Sequence, residues 1–218
     1  MPELMILALE LIGTVAFAVS GAVLAVRKGM DVFGVTILGL TTAVGGGVVR
    51  DLLLGNTPPV MFREPVYALT AIGVSLVVFL KPVRHYLTGN HRHAAMLLQL
   101  SDSLGLALFT VSGVQVAYQL GHAGSLFLLT FVGVVTGVGG GVLRDIMAGR
   151  TPYIFVKHVY ASAALAGALL CAGLWPVIGQ TASMLTGFAV ILTIRLLSAH
   201  YRWSLPHAEG DPPEEFRS

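Results

Sequence analysis

The sequence predicts an all-α membrane protein with seven transmembrane helices. The helices form an inverted 3+3 repeat plus one extra helix, with helices 2 and 5 kinked. Three observations carry this reading. Of 218 residues, 55% are hydrophobic and 11% are charged, against roughly a quarter charged in ordinary globular domains. Seven segments stay apolar over about the 20 residues a helix needs to cross a bilayer. Finally, Gly45-Gly46-Gly47-Val48-Val49-Arg50-Asp51 returns, 94 residues on, as Gly139-Gly140-Gly141-Val142-Leu143-Arg144-Asp145.

The spans follow in order, each closed by turn or charge signals. The first, roughly 4–26, ends at Arg27-Lys28-Gly29, and the second, roughly 32–54, at Thr57-Pro58-Pro59. The third, roughly 65–81, runs into a polar stretch from Lys81 to His93 that reads as a solvated basic loop near lipid headgroups. The fourth, roughly 96–119, stops before Gly121-His122-Ala123-Gly124, and the fifth, roughly 125–148, before Thr151-Pro152. The sixth and seventh, roughly 158–175 and 181–200, are divided at Trp175-Pro176. The chain thus divides into a first repeat with its connecting loop (1–90), a second, inverted repeat (91–176), a seventh helix (177–203) and a polar tail (204–218) expected to be disordered.

Basic residues set the orientation. With the N-terminus outside, the inner loops and tail hold Arg27, Lys28, Lys81, Arg84, Arg92, Arg150, Lys157, Arg202 and Arg217, and the outer loops hold Arg63 alone. The expectation is N-terminus outside and C-terminus in the cytoplasm of a bacterial-type inner membrane. Arg195, near the inner end of the last span, can snorkel to the interface.

The duplication extends beyond the glycines. Thr42–Pro58 and Thr136–Pro152 agree at 11 of 17 positions, Phe17…Ser20-Gly21 pairs with Phe109…Ser112-Gly113, and Val66-Tyr67-Ala68 pairs with Val159-Tyr160-Ala161. Ten residues before each Ser stands an acid, Glu10 or Asp102. Three crossings are an odd number, so the second unit enters the membrane from the opposite side, and a site is expected near the midplane where the halves meet.

Gly45, Gly46 and Gly47, with Gly139, Gly140 and Gly141, are expected to unwind spans 2 and 5 and free carbonyl oxygens for a cation. Thr42 and Thr136 add hydroxyls. The alternative is close helix packing through small residues. Arg50 and Arg144 sit where a charge costs on the order of 2.5–3.5 kcal/mol. Residues i and i+1 on a helix do not face each other, so Asp51 and Asp145 are not expected to neutralise their own neighbours. Glu10 and Asp102, or the aspartates across the symmetry axis, are the candidate partners, as structural bridges or as a charged gate. Ser20 and Ser112 either bond their own i−4 carbonyls or line a path. Tyr67 and Tyr160 read as packing residues or interface anchors.

The single cysteine, Cys171, excludes an internal disulfide and a cysteine-based metal cluster. No catalytic motif is present, which argues against an enzyme, and no nucleic-acid partner is expected. The doubled GGGVxRD motif, the Ser-Gly pairs, Thr-Pro after each motif and the seven spans together resemble the prokaryotic trimeric intracellular cation channels over roughly residues 4–200. The resemblance implies a homotrimer with a pore in each protomer between spans 2 and 5, potassium as the permeant ion and no cofactor. Some members of that family are described as glycine transporters, so a carrier for a small zwitterion is the alternative.

Overall fold

The computed structural model describes residues 2–89, 91–156, 159–201 and 203. Among these the regular structure is helical throughout: α1 (Pro2–Arg27), α2 (Val32–Leu53), α3 (Val60–Arg63), α4 (Val66–Phe79), α5 (Lys81–Gly89), α6 (His91–Ala117), α7 (Leu126–Met147), α8 (Tyr153–Val156) and α9 (Ala161–Tyr201). A π-helical turn, Tyr118–His122, extends α6. Five described helices are long and apolar enough to cross a membrane, and six if α4 and α5, bent by 66°, make one broken span. Lys157, Arg202, Arg217 and the 204–218 tail lie outside the described residues.

Local signals repeat with the sequence. Asp31 caps α2 by accepting from the Gly34 N–H at 2.8 Å, and Ser125, its repeat partner, caps α7 through the Leu128 N–H at 3.2 Å. Each cap satisfies an N–H that the first helical turn would otherwise leave bare. The stretch expected to be a loop between the repeats is instead helical. In α5, Val83 and Leu87 turn inward beside Val26, Val78 and Leu98 while Lys81 and His85 face outward. An i, i+4 apolar pair suffices to seat a short helix against the bundle.

At 41 residues, α9 would measure about 60 Å if straight, twice the hydrocarbon thickness. It folds back instead. Gly167 packs against Gly187 and Ile191, so the two arms lie side by side. The reversal falls at Gly179 (φ 77°, ψ 173°), not at the expected Trp175-Pro176. Pro176 sits in the closing turns of the first arm, where Trp175 is buried and stacks on Tyr118 at 4.7 Å. Proline ends helical hydrogen bonding but cannot supply the positive φ with extended ψ that this reversal uses, a region open essentially to glycine alone.

The bundle core is the four-helix contact of α1, α2, α6 and α7, with α4 on one side and α9 on the other. Its centre is built from repeat-related pairs. Phe17 stacks on Phe109 with ring centroids 5.3 Å apart. A Cβ on Gly46 would overlap the Thr136 carbonyl oxygen, and one on Gly140 would overlap the Thr42 carbonyl oxygen. Such reciprocal contacts are what a two-fold axis between the repeats produces.

This corrects the expectation for the glycine triplets. Both α2 and α7 run through them in continuous helical conformation, and neither triplet contains a residue of positive φ. The glycines bring α2 and α7 backbone to backbone, the packing role of small residues in membrane helices. Thr42 and Thr136 are fully buried in this crossing, and each donates at 2.6 Å to its own i−4 carbonyl, Leu38 or Val132.

Gly179→Ala is expected to lower stability by about 1–3 kcal/mol through strain at the reversal. Gly173→Ala, in the same helix with open space around it, is expected to be near neutral. Thermal unfolding of the two purified variants in detergent checks the contrast.

Candidate functional site

Two charged clusters stand at opposite ends of the glycine crossing. Each begins with an Arg-Asp pair in the last turns of a long helix. Arg50 Nε donates to Asp51 Oδ1 at 2.8 Å, and Arg144 Nε donates to Asp145 Oδ1 at 3.0 Å. The expectation that these neighbours would not pair is overturned. The i, i+1 rule concerns Cβ directions, and the long arginine side chain curls back past them. The other carboxylate oxygen of each aspartate takes the first N–H of a short helix: Val60 N–H at 2.8 Å for Asp51, Tyr153 N–H at 3.0 Å for Asp145. Each aspartate is thereby fixed from both sides.

An acid from the neighbouring span completes each cluster. Arg144 Nη1 donates to Asp102 Oδ1 at 2.6 Å. Arg50 Nη1 stands 3.9 Å from Glu10 Oε1. Of the candidate partners, Glu10 and Asp102 each take the arginine of their own repeat. Tyrosines close the rings. Tyr67 donates to Glu10 Oε2 at 2.6 Å, and Tyr160 donates to Asp102 Oδ1 at 3.4 Å.

The serines tie the clusters together. Neither bonds its i−4 carbonyl. Ser112, from the second repeat, donates at 2.8 Å to Glu10 of the first. Ser20, from the first repeat, accepts from Arg144 of the second. So α1 and α6 run antiparallel, with Glu10 level with Ser112 and Ser20 level with Arg144 and Asp102. Ten residues separate Glu10 from Ser20, so the clusters lie about 15 Å apart along the bundle, half the hydrocarbon thickness.

The clusters differ in exposure. Asp102, Arg144 and Asp145 are all 0% exposed, whereas the Glu10 side chain keeps 15%. Glu10 opens onto a cavity of about 40 Å³, enough for about three waters. Thr14, Val44, Gly47, Arg50, Val60 and Tyr67 are among its walls. Arg195 does not snorkel. It is 4% exposed, its Nη2 lies 3.9 Å from Asp102 Oδ2, its Nε donates to Ser103 Oγ at 3.3 Å, and its guanidinium covers the Tyr160 ring at 4.8 Å. Asp102 offers it a carboxylate edge that Arg144 does not use.

Sequence reasoning named the two arginines, the four acids and the two serines, and the structure brings all eight into these clusters. It missed Arg195 and undervalued Tyr67 and Tyr160. The tyrosines were detectable, because Val66-Tyr67-Ala68 and Val159-Tyr160-Ala161 repeat with the motif. Arg195 had no such signal, since its helix has no repeat partner. Gly45 and Gly139 stay in the helix crossing, away from the charges.

Removing one partner of a buried ion pair leaves an uncompensated charge and costs about 3–5 kcal/mol. Arg144→Met is expected to reach that range, because Asp102 and Asp145 are sealed from water. Arg50→Met is expected to cost less, because Glu10 reaches the cavity. Unfolding midpoints in detergent for the two variants test the order.

Comparison with known proteins agrees with this fold. A family model described as "Glycine transporter" matches residues 7–82 and 99–176, one stretch per repeat. The membrane protein YvgT of Bacillus subtilis is 35% identical over 202 residues, covering 91% of this chain and 94% of YvgT. The inner membrane protein YadS of Escherichia coli is 36% identical over 203 residues, covering 91% and 93%. Among solved structures, a TRIC cation channel is 35% identical with a TM-score of 0.82, covering 94% of this chain and 98% of that one. The TRIC orthologue from Rhodobacter sphaeroides is 33% identical with a TM-score of 0.83, covering 91% and 99%. The chain is a multi-pass membrane protein of the UPF0126 family, the family of the prokaryotic TRIC channels whose model carries the glycine-transporter description.

Proposed function

We propose that the protein is a passive channel for monovalent cations, potassium foremost, with one path through each protomer of a homotrimer. The observation that carries this reading is the pair of charged clusters at membrane depth, joined by the α2–α7 glycine crossing, with a carboxylate-lined cavity at one end. Charge at that depth marks an ion or solute pathway by default, and a carboxylate facing a small polar cavity favours cations. The TRIC cation channels among its relatives support the choice of solute, and the trimeric Rhodobacter sphaeroides orthologue supports the assembly.

The path runs past Glu10, between α2 and α7, and on to the Asp102 cluster. Gly46 and Gly140 close it in the described conformation, and conduction needs these helices to part. The terminal orientation read from the basic residues places the Glu10 cavity in the outer half and the Asp102 cluster in the inner half. The carbonyl-lined path expected from unwound helices has no part in this mechanism.

A second reading, a carrier for a small zwitterion such as glycine, is favoured by the family model's description. Inverted repeats with a midplane site are common in carriers. The two differ in rate. Purified protein in planar bilayers is expected to give unitary potassium currents, with no saturable glycine uptake in proteoliposomes. Glycine uptake without unitary currents would establish the carrier.

A further inference from the structure

The two clusters descend from one sequence pattern, yet one encloses a cavity and the other is sealed. Two additions fill the second. Tyr153 stands where the first repeat has Val60: both donate their backbone N–H to the cluster's aspartate. The Tyr153 ring is 7% exposed and lies 5.0 Å under the Arg144 guanidinium. Val60 is smaller and forms a wall of the cavity. The other addition is Arg195, supplied by the second arm of α9. It lies against Asp102 and over Tyr160. The corresponding groups of the first repeat, Glu10 and Tyr67, both line the cavity.

The charges differ in the same sense. Among the described residues, Arg144 and Arg195 face Asp102 and Asp145 in the sealed cluster, so formal charges balance. In the open cluster Arg50 alone faces Asp51 and Glu10. Arg50 binds Asp51 at 2.8 Å and stands back 3.9 Å from Glu10, so the surplus negative charge rests on Glu10 at the cavity wall. One surplus charge and one carboxylate suit a monovalent cation. A divalent ion asks for more oxygen ligands and more negative charge.

We propose that the cavity beside Glu10 binds one monovalent cationic group, a metal ion or a small ammonium head, in the place that the Arg195 guanidinium occupies in the other repeat. The Glu10 carboxylate supplies the charge. Tyr67, which also lines the cavity, donates its hydroxyl proton to Glu10 and keeps its oxygen lone pairs for a further ligand contact. This names the solute site of the pathway proposed above and rests on that reading for its role in transport, though not for binding itself.

The test is thermal unfolding of the purified full-length protein in detergent, titrated at constant ionic strength with KCl, methylammonium chloride or glycine against N-methylglucamine chloride. A cation that binds the folded state raises the midpoint with concentration. The expected result is a saturable rise, with apparent affinity falling about tenfold or more in Glu10→Gln, which removes a charge-assisted contact. Val60→Tyr, which refills the cavity as in the second repeat, is expected to abolish the rise even if Glu10→Gln folds poorly. Arg63→Gln, outside the cavity, is expected to retain it. A response to potassium alone assigns a metal ion, and one to methylammonium or glycine assigns an ammonium head. No rise with any of the three, or a rise undiminished in both cavity variants, would overturn the proposal. Binding without flux in proteoliposomes would overturn the channel reading and leave the site standing.

Discussion

A guanidinium held within a bilayer needs partners that meet its charge, and most of this structure follows from meeting that need twice with carboxylates. Arg50 and Arg144 each draw a neighbouring aspartate, an acid from the adjacent span and a short helix whose first N–H locks the aspartate in place. Those contacts fix where α3 and α8 begin and how α1 and α6 register against the motif helices. The crossed serines then bind each cluster to the opposite repeat, so neither half completes its cluster alone.

Between the clusters the constraint is steric. Gly46 and Gly140 let two helices touch backbone to backbone on the symmetry axis, beside the Phe17–Phe109 stack. A contact this close is stiff while made and offers little to hold the helices at intermediate separations, because interiors packed at this density are bistable rather than continuously deformable. Such a contact suits a gate better than a filter. Symmetry is then broken at two places, one outside the repeats and one within the second. The second arm of α9 inserts Arg195, and Tyr153 replaces the smaller Val60, so one cluster becomes a sealed strut and the other keeps a cavity and a surplus negative charge.

Much of this was legible in the sequence. The apolar helical character, the duplication and the charged members of both clusters were readable, because hydropathy and self-similarity are one-dimensional signals. What failed was local geometry. Glycine triplets permit unwinding or close approach, and only the presence of Thr136 and Thr42 carbonyls across the crossing decides for approach. The Arg-Asp neighbours failed for a related reason, since the flexibility of a long side chain is invisible to a rule about helix faces. The break at Gly179 was masked by the stronger signal of Pro176. Arg195 lay beyond reach because an unrepeated helix gives no partner with which to compare it.

Two sites built from one pattern are unequal in this molecule, and cysteine accessibility reads that inequality most directly. Val44 lines the Glu10 cavity, while its repeat partner Val138 is buried at 7% exposure. With Cys171 first replaced by alanine, Val44→Cys and Val138→Cys place one thiol at each related position. A hydrophilic thiol reagent is predicted to modify the first readily and the second hardly at all. Equal rates, or faster reaction at position 138, would contradict the claim that one cluster is open and the other sealed.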